Sequence, residues 1–416
     1  MLYDIVIFSL FRTDNPYSSI SLSMAKELAR TTRVFYVNHP YSFKDILTGW
    51  LSGNRILRSR LPDLLRGRPR YEALPEIPDN FVALQPPPTW PVNWLPKGVV
   101  YDFFQRINNR IVLRAIRRLL RDHRVHRYVY INCYDPFFAG VLPPEMGAVK
   151  SIYHCIDDIS QDPYTAKHGE DLENAAICAA DLTLVTSGRL FQLKSRLSGR
   201  IAPFFNAADV SLFETALTES YPRPAELEGH NGKVIGFIGN LDSQRIDYPL
   251  LKRTALAHPG KTLLLVGPVN SKEPHAIGLD KLPNVVMTGS RKLSELPALL
   301  QHMDIALIPF RCNKLTESIY PLKINEYLAA GKPVVTTSFS ADIRRFSGLV
   351  YLAASHDDFL EQIEASLREN DPALREKRSA FARQNSWPAR ILELRELIDV
   401  YSGIEPALQY EENERA

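Results

Sequence analysis

Short apolar runs alternate with amphipathic stretches along most of the chain, and the alternation is played through twice. In the first half, residues 4–10, 33–38, 128–132, 150–156 and 182–186 read as strands. Residues 18–30, 102–121, 169–180 and 188–198 read as helices between them. The second half restarts with strands at 233–239, 262–266, 285–288, 305–308 and 333–337, again with helices between. Repeated strand–helix units of this kind build parallel sheets covered by helices on both faces. With 416 residues, two such domains are expected. A proline-containing linker at 203–230 divides 1–203 from 204–385, and residues 386–416 add a closing helix and tail. Ligands of doubly wound sheets bind at the carboxyl ends of the strands, so the chemistry is expected where strands end.

The composition removes several alternatives. Hydrophobic residues make up 45% and charged residues 23%, which suits a globular protein and not a disordered one. No apolar run reaches the length of a membrane span. The first residues lack the basic start and cleavage site of a signal peptide, so a cytoplasmic location is expected. Cys133, Cys155, Cys178 and Cys312 show no zinc spacing and read as reduced structural thiols. Up to Phe205 there are 26 basic and 19 acidic residues, and beyond it 24 and 28. A basic first half and an acidic second half suggest different partners for each.

The segment TESIYPLKINEYLAAGKPVVTT, residues 316–337, carries the most chemistry. Pro321 starts a helix, Ile324, Tyr327 and Leu328 share one face, and Lys323 and Glu326 are neighbours on another. Gly331 ends the helix and Pro333 launches a strand. A helix N-terminus with a lysine in its first turn attracts anions. A carboxylate one turn later can accept both hydroxyls of a ribose. Charge spacing alone also allows an ordinary surface salt bridge. The whole phrase resembles the nucleotide-sugar signature of GT-B glycosyltransferases: helix, acid, small residues, Gly-x-Pro, Val-Val. That resemblance implies a GT-B fold, two Rossmann-like parallel-sheet α/β domains facing across a cleft, with the C-terminal helix crossing back to the first. It implies that Lys323 neutralises a donor diphosphate and Glu326 holds the ribose, with Ser318, Tyr320, Pro321 and Leu322 around them. Retaining members of glycosyltransferase family 4 carry two glutamates eight positions apart; here Ser318 stands in the first position, and Glu317 lies one residue out of register.

Upstream, Gly239 closes one strand and is followed by Asp242 and Arg245, the latter within reach of a diphosphate. Gly267 closes the next strand. Gly289 opens a loop to Lys292 that, by the same resemblance, reads the nucleobase. In the first half, IYHCIDDISQD (152–162) delivers Asp157 and Asp158 to a strand end. Either could serve as the general base of an inverting transfer, and either could simply cap the following turn. His154 reads as structural. This stretch, with ADLTLVTS (180–187), is similar to teichuronic-acid-type exopolysaccharide glycosyltransferases and, more distantly, to the glucuronosyltransferase of xanthan assembly. The resemblance implies Asp157 as base, then Asp158. Its implied partners are a nucleotide-sugar donor, with UDP the expected nucleotide, and a glycan or lipid-linked acceptor. The donor is a substrate; no cofactor and no metal are expected, since helix dipole and basic side chains can neutralise the leaving group. A retaining reaction on the same fold and a nucleotide-sugar epimerase are the competing readings.

Residues 41–100 fit no motif. From Trp50 to Arg70 arginines and apolar side chains interleave, and Arg106, Arg110, Arg114, Arg117, Arg118 and Arg121 follow on a helix. Such a mixture suits the anionic surface of a membrane, the inner face of the plasma membrane here, or an acidic acceptor, or merely a solvated helix face. No nucleic-acid motif is present.

Overall fold

The computed structural model describes residues 3–15, 19–53, 62, 69–72, 74 and 77–401. Two compact units emerge. The first takes the chain to Thr186, then Leu190–Phe204 and the residues from Ile391; the second takes Ser187–Arg189 and Phe205–Arg390.

The first unit is built on eight strands: β1 Asp4–Ser9, β2 Val34–Asn38, β3 Arg70–Glu72, β4 Phe81–Gln85, β5 Tyr128–Cys133, β6 Lys150–Cys155, β7 Leu182–Val185 and β8 Ile201–Pro203. Their order is β3-β4-β2-β1-β5-β6-β7-β8. All neighbours are parallel except β3, which lies antiparallel on β4. The second unit has β9 Val234–Ile238, β10 Thr262–Val266, β11 Val285–Gly289, β12 Ile305–Ile308, β13 Val334–Thr337 and β14 Tyr351–Ala353. All of them are parallel, in the order β11-β10-β9-β12-β13-β14. That is the doubly wound 3-2-1-4-5-6 order, with its switch point between β9 and β12. In the first sheet the switch point falls between β1 and β5. Central strands such as DIVIFS and TLLLV are buried almost throughout, as sheets covered on both faces require.

Local chemistry sets the helix ends. Ser19, Asp209 and Asp247 each accept a backbone N–H of the first turn of the following helix, and Ser42 and Asp45 form a capping box. Gly331, at φ +64°, terminates the helix Leu322–Ala329 in a left-handed turn.

Several elements depart from the sequence reading. The stretch at 41–100 holds the helix Phe43–Leu51 and strands β3 and β4. Prolines crowd both ends of β4, which hid a strand of only five residues. Much of the segment between Trp50 and Arg70 lies outside the described residues. The expected linker at 203–230 contains the helix Val210–Thr218, and β8 precedes it. Pro163, not Gly169, starts the helix that ends at Ala179, because Asp162 caps it. The closing helix Trp387–Val400 belongs to the first unit from Ile391 onward. There Arg395 donates to Thr31, and Tyr401 lies against Ile201 and Lys150. All four cysteines are free thiols. Among the described residues, no helix is long and apolar enough to cross a membrane.

One buried ion pair braces the end of the second unit. Arg378 is fully buried; its Nε donates to the Leu349 carbonyl at 2.8 Å, and its two terminal nitrogens grip Glu369 at 2.5 and 2.6 Å. Removing one partner strands a charge in a dry site. Glu369→Ala is expected to cost about 3–5 kcal/mol in urea denaturation followed on the second unit; a loss below about 1 kcal/mol would contradict this bracing role.

Candidate functional site

Three glycines sit at the carboxyl ends of three adjacent strands in the second unit. Ile238 pairs with Val266, and Val266 with Gly289. Just beyond, the Gly239 N–H donates to the Val266 carbonyl at 2.9 Å and the Gly267 N–H to the Gly289 carbonyl at 3.0 Å. Gly267 has φ +139°, and a Cβ there would overlap the carbonyl oxygen of Gly239. Only glycine fits that contact. The result is a shelf of bare backbone beside the switch point, open to close approach by a ligand.

The helix Leu322–Ala329 is fastened to this shelf. The Tyr327 hydroxyl accepts the Ile238 N–H at 2.9 Å and donates to the Ile238 carbonyl at 3.2 Å. Burial pushes this phenol far up, so it stays protonated. Ile324, Tyr327 and Leu328 are completely buried, as their shared face predicts. Pro321 provides no side-chain cap; in the first turn the Leu322 N–H donates to the Tyr320 carbonyl at 2.8 Å and the Ile324 N–H to the Pro321 carbonyl at 3.0 Å. Lys323, part-exposed, donates to Glu326 at 2.8 Å, and Glu326 is nearly buried. The pair is therefore not the ordinary surface salt bridge that the spacing alone allowed. Tyr320 is buried between Phe205 and Phe346, its hydroxyl accepting from Asn325 at 3.2 Å.

Two loops complete the arrangement. Asp242 Oδ1 accepts the N–H groups of Gln244 and Arg245, both at 3.0 Å, shaping the turn that carries Arg245. The Arg245 carbonyl accepts the Arg311 N–H at 2.8 Å, and Asn313 donates to the Gln244 carbonyl at 2.9 Å. The loop after β9 is thus stitched to the loop after β12. Ser318 is buried, whereas Glu317 is half exposed and faces Arg189 at 3.7 Å. The one-residue offset therefore turns Glu317 outward, as helical geometry demands. Sequence reading missed Arg311, whose guanidinium donates to the Ile246 carbonyl and to Glu273. Its signal was available: a basic residue three positions past the end of β12. In the expected nucleobase loop, Arg291 pairs with Glu226 and the Lys292 N–H donates to Glu295 at 2.7 Å.

In the first unit, β6 ends at Cys155 and the chain turns through Asp157 and Asp158. Asp158 is a cap. Its Oδ1 accepts Ser160 N–H at 3.1 Å and Ser160 Oγ at 2.7 Å, and its Oδ2 accepts Gln161 at 3.1 Å. Asp157 lies close enough to the Tyr134 hydroxyl to help burial push that phenol upward. Tyr134 itself has φ +58°, a left-handed conformation that a bulky residue adopts only under constraint. His154 is fully buried, and burial pushes its imidazole down to about 3. It is neutral and structural. Among the described residues no group of three or more His, Cys, Asp or Glu is placed to hold a metal ion.

Residues 232–369, which contain the glycine shelf and the Lys323–Glu326 helix, match the family model for glycosyl transferases group 1. Over 187 residues the chain is 33% identical to TuaH of Bacillus subtilis (strain 168), a protein named for a glycosyltransferase role in teichuronic acid biosynthesis. That match covers 44% of this chain and 46% of TuaH, so it spans about half the length of each. Among solved structures, a UDP-forming α,α-trehalose-phosphate synthase from Burkholderia xenovorans superposes with a TM-score of 0.66 at 13% identity, covering 97% of this chain and 100% of that one. Anabaena HepE, in complex with UDP and glucose, gives 0.61 at 13% identity over 95% and 100%. The chain has the GT-B fold, two parallel-sheet α/β domains.

The shelf can be tested directly. Gly267→Ala is expected to cost about 2–4 kcal/mol of stability in the second unit, because strained φ and backbone overlap add. Wild-type stability by urea denaturation would contradict the contact.

Proposed function

We propose that the protein is a glycosyltransferase that moves a sugar from a nucleotide-sugar, with UDP as the nucleotide, to a glycan or lipid-linked acceptor in surface polysaccharide assembly. The observation that carries this is the glycine shelf held against the helix of Lys323 and Glu326. The shelf lets a diphosphate approach the backbone, the helix N-terminus and the Lys323 and Arg245 side chains offset its charge, and the Glu326 carboxylate receives the ribose hydroxyls. No metal is required where these groups neutralise the leaving diphosphate. The group 1 match over 232–369 and the likeness to TuaH support the same reading.

The transfer inverts the anomeric centre. An acceptor oxygen bonds to the sugar carbon, the bond from that carbon to the phosphate oxygen breaks, and the nucleoside diphosphate leaves with the electron pair. Asp157 takes the acceptor proton. Asp158 holds the turn on which Asp157 sits, which is why Asp157 is the better base. The outward Glu317 and buried Ser318 disfavour the two-glutamate retaining arrangement. Glu326→Ala is expected to weaken UDP binding by about 10- to 100-fold in calorimetry. Asp157→Asn is expected to abolish transfer while UDP still binds. Undiminished affinity in the first variant, or surviving turnover in the second, would refute that assignment.

The acceptor is presented at a membrane surface. Trp50, Leu51, Trp94, Val99, Val100 and Phe103 of the first unit are all more than half exposed, Trp94 at 72% and Val99 at 81%. The helix Val99–Asp122 continues from there with Arg106, Arg110, Arg114, Arg117, Arg118 and Arg121 all exposed. Large apolar side chains beside a basic stripe suit the interface of an anionic bilayer, on the cytoplasmic face of the plasma membrane. Replacing Trp50 and Trp94 together by Ser is expected to lower affinity for phosphatidylglycerol vesicles roughly tenfold in flotation assays. Vesicle binding that is absent in the wild type would dismiss the membrane contact.

A further inference from the structure

A histidine–aspartate pair closes over the switch point of the first sheet. His39 directly follows β2 and Asp135 follows β5, the two strands that flank β1. The His39 N–H extends the ladder by donating to the Ser9 carbonyl at 3.0 Å, and Leu10 donates to the Cys133 carbonyl at 3.3 Å. Three neighbouring strand ends therefore place His39 and Asp135 together, with 2.5 Å between His39 Nδ1 and Asp135 Oδ2.

The aspartate is built to hold the ring. It is fully buried, and its other oxygen accepts the Phe137 and Phe138 N–H groups at 3.2 and 3.4 Å. Asn132, also buried, clasps it through both the Asp135 N–H and carbonyl, at 2.9 and 2.8 Å. The left-handed Tyr134 sits between Asn132 and Asp135 and makes that clasp possible. Phe138 lies against the imidazole, ring centres 5.2 Å apart. A carboxylate so placed accepts a proton-bearing Nδ1, which leaves the lone pair on Nε2. The His39 side chain is 24% exposed. With Nδ1 facing a fully buried carboxylate, its open edge is the Nε2 edge, for which no partner exists among the described residues.

We propose that His39 is an acceptor-binding residue: its Nε2 accepts a hydrogen bond from a sugar hydroxyl of the acceptor, with Asp135 fixing the ring for that task. The assignment rests on the glycosyl-transfer reading. It places the group on the unit that lacks the glycine shelf, at the carboxyl ends of the central strands, where ligands of such folds bind. Asp135 acts only through His39 and is a positioning residue.

The test has two arms on the full chain. Nitrogen-15 NMR of the histidine rings at neutral pH is expected to show His39 protonated on Nδ1, and Asp135→Asn is expected to remove that preference. An Nε2-protonated ring in the wild type overturns the proposal. Kinetics with UDP-glucose or UDP-glucuronate as donor and octyl glucoside as acceptor form the second arm. His39→Ala is expected to raise the acceptor KM about tenfold, with donor KM and UDP affinity unchanged, and His39→Gln is expected to recover part of the loss. An unchanged acceptor KM overturns the assignment. So does a hundredfold fall in kcat at constant acceptor KM, which would make His39 the proton acceptor itself. A wild type that transfers no sugar from any nucleotide-sugar defeats the glycosyl-transfer reading, and this assignment falls with it; transfer by the wild type with an indifferent His39→Ala defeats this assignment alone.

Discussion

The hydroxyl of Tyr327 meets both backbone groups of Ile238, and the geometry of the second unit's site depends on that contact. It fixes how the helix Leu322–Ala329 approaches the end of β9. Without it the helix would pack only through apolar side chains, which are tolerant of sliding and rotation. With it, a lysine and a glutamate on one face of the helix hold a defined place relative to a strand end one residue short of Gly239. A directional, buried hydrogen bond supplies the precision that hydrophobic burial lacks.

Two ion pairs in the same unit illustrate how solvent access separates bracing from binding. Arg378 is fully buried and grips the largely enclosed Glu369 in bidentate fashion, so nothing is left to offer a ligand. Lys323 and Glu326 are joined by a single contact, with the lysine open to water and the carboxylate nearly enclosed. An ammonium on a flexible stem can leave such a partner for a phosphate at little cost. In the proposed donor complex, the carboxylate it leaves behind receives new donors from the ribose hydroxyls. Both pairs obey one electrostatic rule; only their exposure differs.

Much of this was legible in the sequence, and the reasons are specific. Parallel strands buried on two faces leave unbroken apolar runs, so β1, β5, β9 and β10 stood out. The segment around Lys323 was readable because proline, glycine and a shared apolar face all agreed on one helix. Short edge elements did not announce themselves: β3, β8 and β14 have three residues each, too few for a period to show, and β4 lay hidden between prolines. From the residues alone Asp157 and Asp158 each offered a base or a cap, and it was the resemblance that ranked Asp157 first. Only the turn geometry showed Asp158 spent on Ser160 and Gln161. His39 and Asp135 carried no signal at all, because 96 residues separate them and strand order alone brings them together.

The path of the chain has a consequence for how the protein is made. The second unit is nearly continuous, from Phe205 to Arg390. The first is begun before it yet lacks the helical residues from Ile391, with their contacts to Thr31, Ile201 and Lys150, until the second has been synthesised. During synthesis the half that begins first is therefore finished last. A nascent chain exposes the seat of that helix while the second unit is already whole. A chain cut short at Arg390 therefore keeps the second unit whole and leaves the first without the helix it takes from beyond that residue.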